Sequence, residues 1–262
     1  MPTRETPPHR VPRPATATGS SPLGRPAAST GQGDLADSYR EFRHPLVALV
    51  LTVATAGALD AFAFLRYGAF VANQSGNAVF LGIGPAGSHP EWPSAAASLV
   101  AFAAGAGGLT WLRGTPRRWS APVVGVVAVE LAMVLWAALN ALLGYGRHGP
   151  VSRAALAGAG ALAMGGLTTL FSRTAGIATT ITYQSGTTAK TGERAVRWVV
   201  GEGAARAHAR TGTLLGLLAI ASYAAGGAVG TVAQRQPYWV PLGGTLALTA
   251  LLLIARRDGA SS

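Results

Sequence analysis

Phe70-Val71-Ala72-Asn73-Gln74-Ser75-Gly76-Asn77-Ala78-Val79-Phe80-Leu81-Gly82 sets three carboxamides and a hydroxyl among apolar residues, in a chain that is itself strongly apolar. A related stretch, Ile181-Thr182-Tyr183-Gln184-Ser185-Gly186-Thr187, follows in the second half. In hydrocarbon such polar groups cost several kcal/mol each unless something satisfies them. Either they line a polar path or they hydrogen-bond helices together.

Outward from this stretch the chain reads as membrane-embedded. Continuous apolar runs cover about 46–65, 95–112, 122–144, 154–171, 212–233 and 238–255. Each is long enough to cross a hydrocarbon core about 30 Å thick at about 1.5 Å per residue. Charged residues make up 12% of the 262-residue chain, about half the share usual in soluble proteins. The 35 Gly residues suit close contacts between membrane helices. The expectation is an all-α, polytopic helix bundle with six spans. Two short polar segments, 68–84 and 176–189, are re-entrant or spanning.

The net charge of +11 comes from 21 basic residues, Lys190 being the single lysine. Most of them lie in short connections between apolar runs, as in cytoplasmic loops, so nucleic acid is not an expected partner. With both polar segments re-entrant, Arg113, Arg117, Arg118, Arg173, Lys190, Arg194, Arg197, Arg206, Arg210, Arg256 and Arg257 fall on the cytoplasmic side. Arg66, Arg147, Arg153 and Arg235 then fall outside. This asymmetry favours six spans over eight, and both counts leave the two termini in the cytoplasm.

Residues 1–44 are rich in Pro, Arg, Ser and Thr and read as a disordered cytoplasmic tail with no cleaved signal segment. The transmembrane domain is expected over 45–256, in two similar halves of about 46–144 and 154–255, before a short tail at 257–262. Each half reads span, Gln-Ser-Gly segment, connection, span, span. Three spans per half would invert the second relative to the first, and broken polar segments at equivalent places of inverted halves point to a transport site. Between the second segment and the fifth span, Glu193–Val200 mixes Arg with Trp198 and valines. It reads as a helix at the cytoplasmic interface or as a solvated loop.

Asp60 and Glu130 are the carboxylates inside the expected spans, where a charge is costly unless it is paired or hydrated. Each is a candidate coupling group, or else a helix-to-helix hydrogen bond. Asp60, Asn73, Gln74, Ser75, Asn77, Tyr183, Gln184, Ser185 and Thr187 are the candidate solute-binding residues. Gly76 permits a bend there. A half-helix beginning near Ser75 or Asn77 would aim N–H groups at an anion or polar solute; one ending there would aim carbonyls at a cation. Glycines such as Gly105, Gly165, Gly226 and Gly230 are expected to serve packing.

The stretch Ala58-Leu59-Asp60-Ala61-Phe62-Ala63-Phe64-Leu65, with Gly68 to Asn77 after it, resembles the YoaK-type family of bacterial membrane proteins, a domain of unknown function. Thr179 to Thr187 is similar to a later Thr-Gly-Thr element of that family. Ser75 and Ser185 stand where Thr is usual there. The resemblance covers about 45–256 and implies a multi-pass protein of the bacterial inner membrane, with no substrate attached.

The chain lacks Cys, and no metal-ligand spacing, phosphate loop or dinucleotide motif occurs, so no cofactor is expected. The reading is a small transporter or channel for a polar solute or ion, centred on Asp60 and the two Gln-Ser-Gly segments, and not an enzyme. The alternative is a non-transporting scaffold or regulator in which these groups only tie helices together. A third reading, an intramembrane hydrolase, needs a His beside Ser75 or Ser185. Expected partners are the lipid bilayer and a small polar solute or ion, and homo-oligomerisation is compatible with the sequence.

Overall fold

The computed structural model describes residues 45–114, 121–172 and 184–255. The Pro-rich tail before residue 45, Tyr183 and the C-terminal tail lie outside these residues. Eight α-helices run through them: α1 Pro45–Tyr67, α2 Gln74–Ile83, α3 Trp92–Gly114, α4 Ala121–Leu142, α5 Pro150–Ser172, α6 Gln184–Val200, α7 Gly203–Ala233 and α8 Trp239–Ala255. No strand occurs among the described residues.

Local sequence sets the helix boundaries. Pro45, Pro93, Pro122, Pro150 and Pro241 each stand in the first turn of a long helix. There the missing N–H costs nothing and the fixed φ already suits the helix. Gly68, with φ +72°, ends α1 in a left-handed conformation. Its N–H returns to the Phe64 carbonyl at 2.9 Å, closing the last turn as a glycine C-cap does.

Among the described residues four stretches, Leu49–Tyr67, Trp92–Leu112, Val124–Leu142 and Gly203–Ala233, are long and apolar enough to cross a membrane. The sequence reading expects six. The other two apolar runs are helical as well, but α8 shows 17 residues among those described, and α5 carries Arg153 among many Gly and Ala. The outward faces of α3, α4, α5 and α8 carry large apolar groups: Val100, Trp111, Leu131, Leu142, Val151 and Leu246 are all exposed. A water-facing surface would not carry so many large apolar groups, whereas a lipid-facing one does.

The first polar segment, 68–84, is not one continuous helix. Residues 68–73 are irregular, and α2 holds 10 residues, about half a crossing at about 1.5 Å per residue. The second Gln-Ser-Gly also opens a helix. That helix does not stop near 189, as the hydropathy suggested, but runs unbroken to Val200. Residues Glu193–Val200 are thus its last turns, and α7 begins at Gly203, well before the apolar run at 212. Glu, Ala, Arg and Lys are good helix formers, so polarity ends the apolar signal without ending the helix.

The helices pack closest in two pairs, α3 with α5 and α1 with α7. Small residues allow both crossings. A Cβ on Gly57 would overlap the Tyr223 carbonyl oxygen, and one on Gly226 that of Ala54. In the other pair a Cβ on Gly165 would overlap the Phe102 carbonyl, and one on Gly105 that of Leu162. Further packing sets α2 on α3, α6 on α7, α4 on α5, α8 on α1 and α4 on α8. At the centre Phe62 meets Tyr67 and Trp136 edge-on, with ring centroids 5.7 and 6.3 Å apart. The polar ends of these rings are satisfied: Trp136 Nε1 donates to the Leu156 carbonyl at 2.9 Å, and the Tyr67 hydroxyl donates to Asn140 Oδ1.

One end of the bundle gathers several chain connections. His89 Nε2 lies 2.9 Å from the Gly68 carbonyl oxygen, so the chain leaves α1 and returns to α3 at the same level. Nearby, Arg153 pairs with Glu91 and Arg66 donates to the Gln234 carbonyl. The space around Gly146 is bounded by Arg153, Tyr67 and Arg66.

Candidate functional site

The break between α1 and α2 exposes backbone donors and acceptors that a helix would have paired. Side chains of the quoted stretch pair them instead. Asp60, two turns before the end of α1 and 1% exposed, points its carboxylate at the break. Its Oδ1 accepts the N–H of Val71 at 2.8 Å and of Ala72 at 2.6 Å; its Oδ2 accepts that of Asn73 at 3.0 Å. A fourth donor, the Tyr223 hydroxyl on α7, reaches Oδ2 at 2.5 Å. Three converging backbone N–H groups beside a helix N-terminus form a fit place for an anion. The N–H groups of Val71, Ala72 and Asn73, just ahead of the α2 N-terminus, are therefore occupied by the chain's own carboxylate.

Asn77 closes the other side. Its Oδ1 accepts the Phe70 N–H at 2.9 Å, and Nδ2 donates to the Phe70 carbonyl at 2.7 Å and to Gln74 Oε1 at 2.8 Å. Gln74 Nε2 reaches the Val71 carbonyl at 3.1 Å. From α3, the Ser98 hydroxyl donates to the Phe70 carbonyl at 2.6 Å. It accepts from Asn77 Nδ2 at 3.0 Å and from Gln74 Nε2 at 3.2 Å. The N–H groups of Phe70 to Asn73 and the carbonyls of Phe70 and Val71 thus find partners within the protein, as the interior of a membrane requires.

Of the predicted residues the structure brings together Asp60, Gln74 and Asn77 around the break. Asn73 and Ser75 face away from that lattice, the Ser75 hydroxyl donating to Asn73 Oδ1 at 2.7 Å. Glu130 belongs to a different contact, accepting from the Thr249 hydroxyl of α8 at 3.0 Å. In the second segment Thr187 is buried and its carbonyl accepts the Thr191 hydroxyl, while Ser185 is exposed. Gln184 begins α6, and Tyr183 lies outside the described residues. The sequence reading missed Ser98 and Tyr223. A hydroxyl inside an apolar span was the available signal, but either residue equally fits ordinary packing.

Beside the carboxylate a cleft of about 290 Å³ opens between α1 and α7. Asp60, Phe64, Phe70, Tyr223, Gly227 and Thr231 line it, among others. Phe64 and Phe70 stack at 5.0 Å, and Phe80 and His89 continue the stack at 5.8 and 4.1 Å. His89 is therefore held by the Gly68 carbonyl and a phenyl ring, and the Ser75 hydroxyl by Asn73. A larger hollow of about 340 Å³ between α1, α7 and α8 has no charged lining residue.

This architecture is that of a helical membrane protein whose first long helix ends in a break stapled by its own carboxylate. The chain belongs to the family DUF1275, described as a protein of unknown function, whose model matches residues 47–255. The YoaK-type resemblance carried by Asp60 and the Asn73–Asn77 motif is consistent with that family. No curated protein and no solved structure matches the chain.

Proposed function

We propose that the protein is a small transporter or channel for a polar solute or ion, with six spans in two similar halves. It would sit in the bacterial inner membrane with both termini in the cytoplasm. The observation that carries this reading is the interrupted helix. Irregular backbone at membrane depth is tolerated where it is enclosed by protein or lines a cavity, and transporters place broken helices at their substrate sites. Asp60, at the break, also lines a cleft.

The packing supports two halves. Matching α1–α4 to α5–α8 turns the α1·α7 contact into α5·α3, α2·α3 into α6·α7, and α4·α5 into α8·α1. The crossings agree in detail. Gly57 lies over the Tyr223 carbonyl as Gly165 lies over that of Phe102, and Gly226 over Ala54 as Gly105 over Leu162. On all four helices the two residues concerned are three positions apart. The meeting of Gly68 with His89 supports a re-entrant first segment. A spanning α2 would have carried residue 89 to the opposite membrane face.

The bonding around the break favours one second reading, a scaffold in which Asp60, Gln74 and Asn77 only hold helices together. Flux separates the two. Proteoliposomes holding the full chain should pass at least one member of a panel of small ions, amines, sugars and amino acids faster than empty liposomes. Equal rates across the panel would sink transport in favour of the scaffold.

A further inference from the structure

We infer that the α1–α7 cleft binds an amphiphilic organic cation, with an ammonium head at Asp60 and an apolar body between the two helices. This rests on the transporter reading for its purpose but on the cleft alone for its chemistry. The cleft combines one carboxylate with three aromatic rings, those of Phe64, Phe70 and Tyr223, and an ammonium is attracted by both kinds of group. Phe64 and Thr231, on its rim, are exposed on the outer face of the bundle, on two of the helices long and apolar enough to cross a membrane. A ligand entering there passes between apolar helix faces close to the polar end of the bundle where Arg66 meets Gln234, a path that suits an apolar body with a charged head. At about 290 Å³ the cleft lies at the small end of ligand sites, large enough for an ammonium with a short chain.

Asp60 has four donors, and they are not equivalent. Three are backbone N–H groups of the break, fixed by the fold. The fourth, Tyr223, is a side chain from another helix that itself lines the cleft. It is the donor a ligand can replace. An ammonium taking its place would keep Oδ2 bonded while detaching α7 from the break. Binding would thereby act on the contact between α1, α2 and α7, a link from occupancy to helix movement.

The test uses the full chain in nanodiscs and calorimetric titration with hexylammonium, hexanoate and hexanol, three probes of equal chain length. Saturable binding of hexylammonium alone is expected. Tyr223→Phe, which frees one face of Oδ2, should tighten it about tenfold, the worth of one hydrogen bond to a charged group. Gly227→Val should abolish it by filling the cleft. A Cβ there meets nothing closer than 3.8 Å, so folding, followed by size-exclusion profile, should survive. Equal binding of hexanol would reduce the cleft to a lipid-tail groove and overturn the inference, as would absent hexylammonium binding or a Gly227→Val protein that binds normally. Binding without flux of any solute would leave the inference standing and remove the transporter reading. Flux that Gly227→Val leaves untouched, with no binding, would do the reverse.

Discussion

Replacing Asn77 by Leu should destabilise the protein far more than replacing Ser75, two residues away in the same polar motif, by Ala. Leu keeps the branched shape of Asn while removing every polar atom, so hydrogen bonds are lost at this buried position and the bulkier methyl groups add to the cost. Without Oδ1 the Phe70 N–H has lost its bond at 2.9 Å, and an orphaned buried donor costs about 1–3 kcal/mol. Without Nδ2 the bonds to Phe70, Gln74 and Ser98 go too. Side-chain bonds between membrane helices average about 0.6 kcal/mol, and the Phe70 carbonyl keeps Ser98. Together these give about 2–5 kcal/mol. Ser75 gives up one bond to a neighbouring side chain at an exposed place, and surface changes of that kind stay within about 0.5 kcal/mol. Unfolding in mixed micelles of rising SDS fraction, followed by tryptophan fluorescence, compares the two directly. Equal midpoints for the two variants would refute the account of the break as a lattice centred on Asn77.

Two further outcomes follow from the packing and from the re-entrant course of the chain. Gly226→Val and Gly105→Val force a side chain into a facing backbone carbonyl and should each lower stability by about 1–3 kcal/mol, whereas Gly107→Ala, with nothing within 4 Å, should be neutral or stabilising by up to about 1 kcal/mol; the same SDS midpoints decide it. Because the chain lacks Cys, single cysteines report topology cleanly: Ser88→Cys and Arg147→Cys should react with an impermeant maleimide from one side and Arg206→Cys from the other, and labelling of Ser88→Cys together with Arg206→Cys would exclude the re-entrant course.

Four of the six expected spans were legible because a long apolar run is a signal that neighbouring segments cannot cancel. The break was legible for a related reason. Asn73, Gln74 and Asn77 inside an apolar protein must be satisfied by something, and the sequence narrows that to a path or a lattice. The bonding partners were not legible. Asp60 finds its donors at 71, 72, 73 and 223, and the last depends on how α1 meets α7, which pattern alone does not fix. Ser98 reads in sequence as one more small residue of an Ala-rich helix, yet it joins Phe70, Gln74 and Asn77. The continuation of α6 through Glu193–Val200 was missed because hydropathy measures burial, whereas a helix needs only compatible backbone residues.

Comparing the two glycine crossings isolates what Asp60 is for. Three residues beyond Gly57 stands Asp60; three beyond Gly165, the matching glycine, stands Thr168. Opposite them, Tyr223 on α7 corresponds to Phe102 on α3, since each offers its carbonyl to the glycine. The second crossing thus closes with a phenyl ring and with a hydroxyl spent on the Met164 carbonyl of its own helix at 2.8 Å. A crossing of this geometry therefore needs neither an acid nor a phenol. The carboxylate is demanded instead by the break, whose three N–H groups it gathers, and the phenol by the carboxylate. Since Asp60 sits on α1 while bonded to both the start of α2 and the middle of α7, any shift of α2 relative to α7 changes a bond at that one side chain. Asp60 is thus the side chain that ties the break to α7.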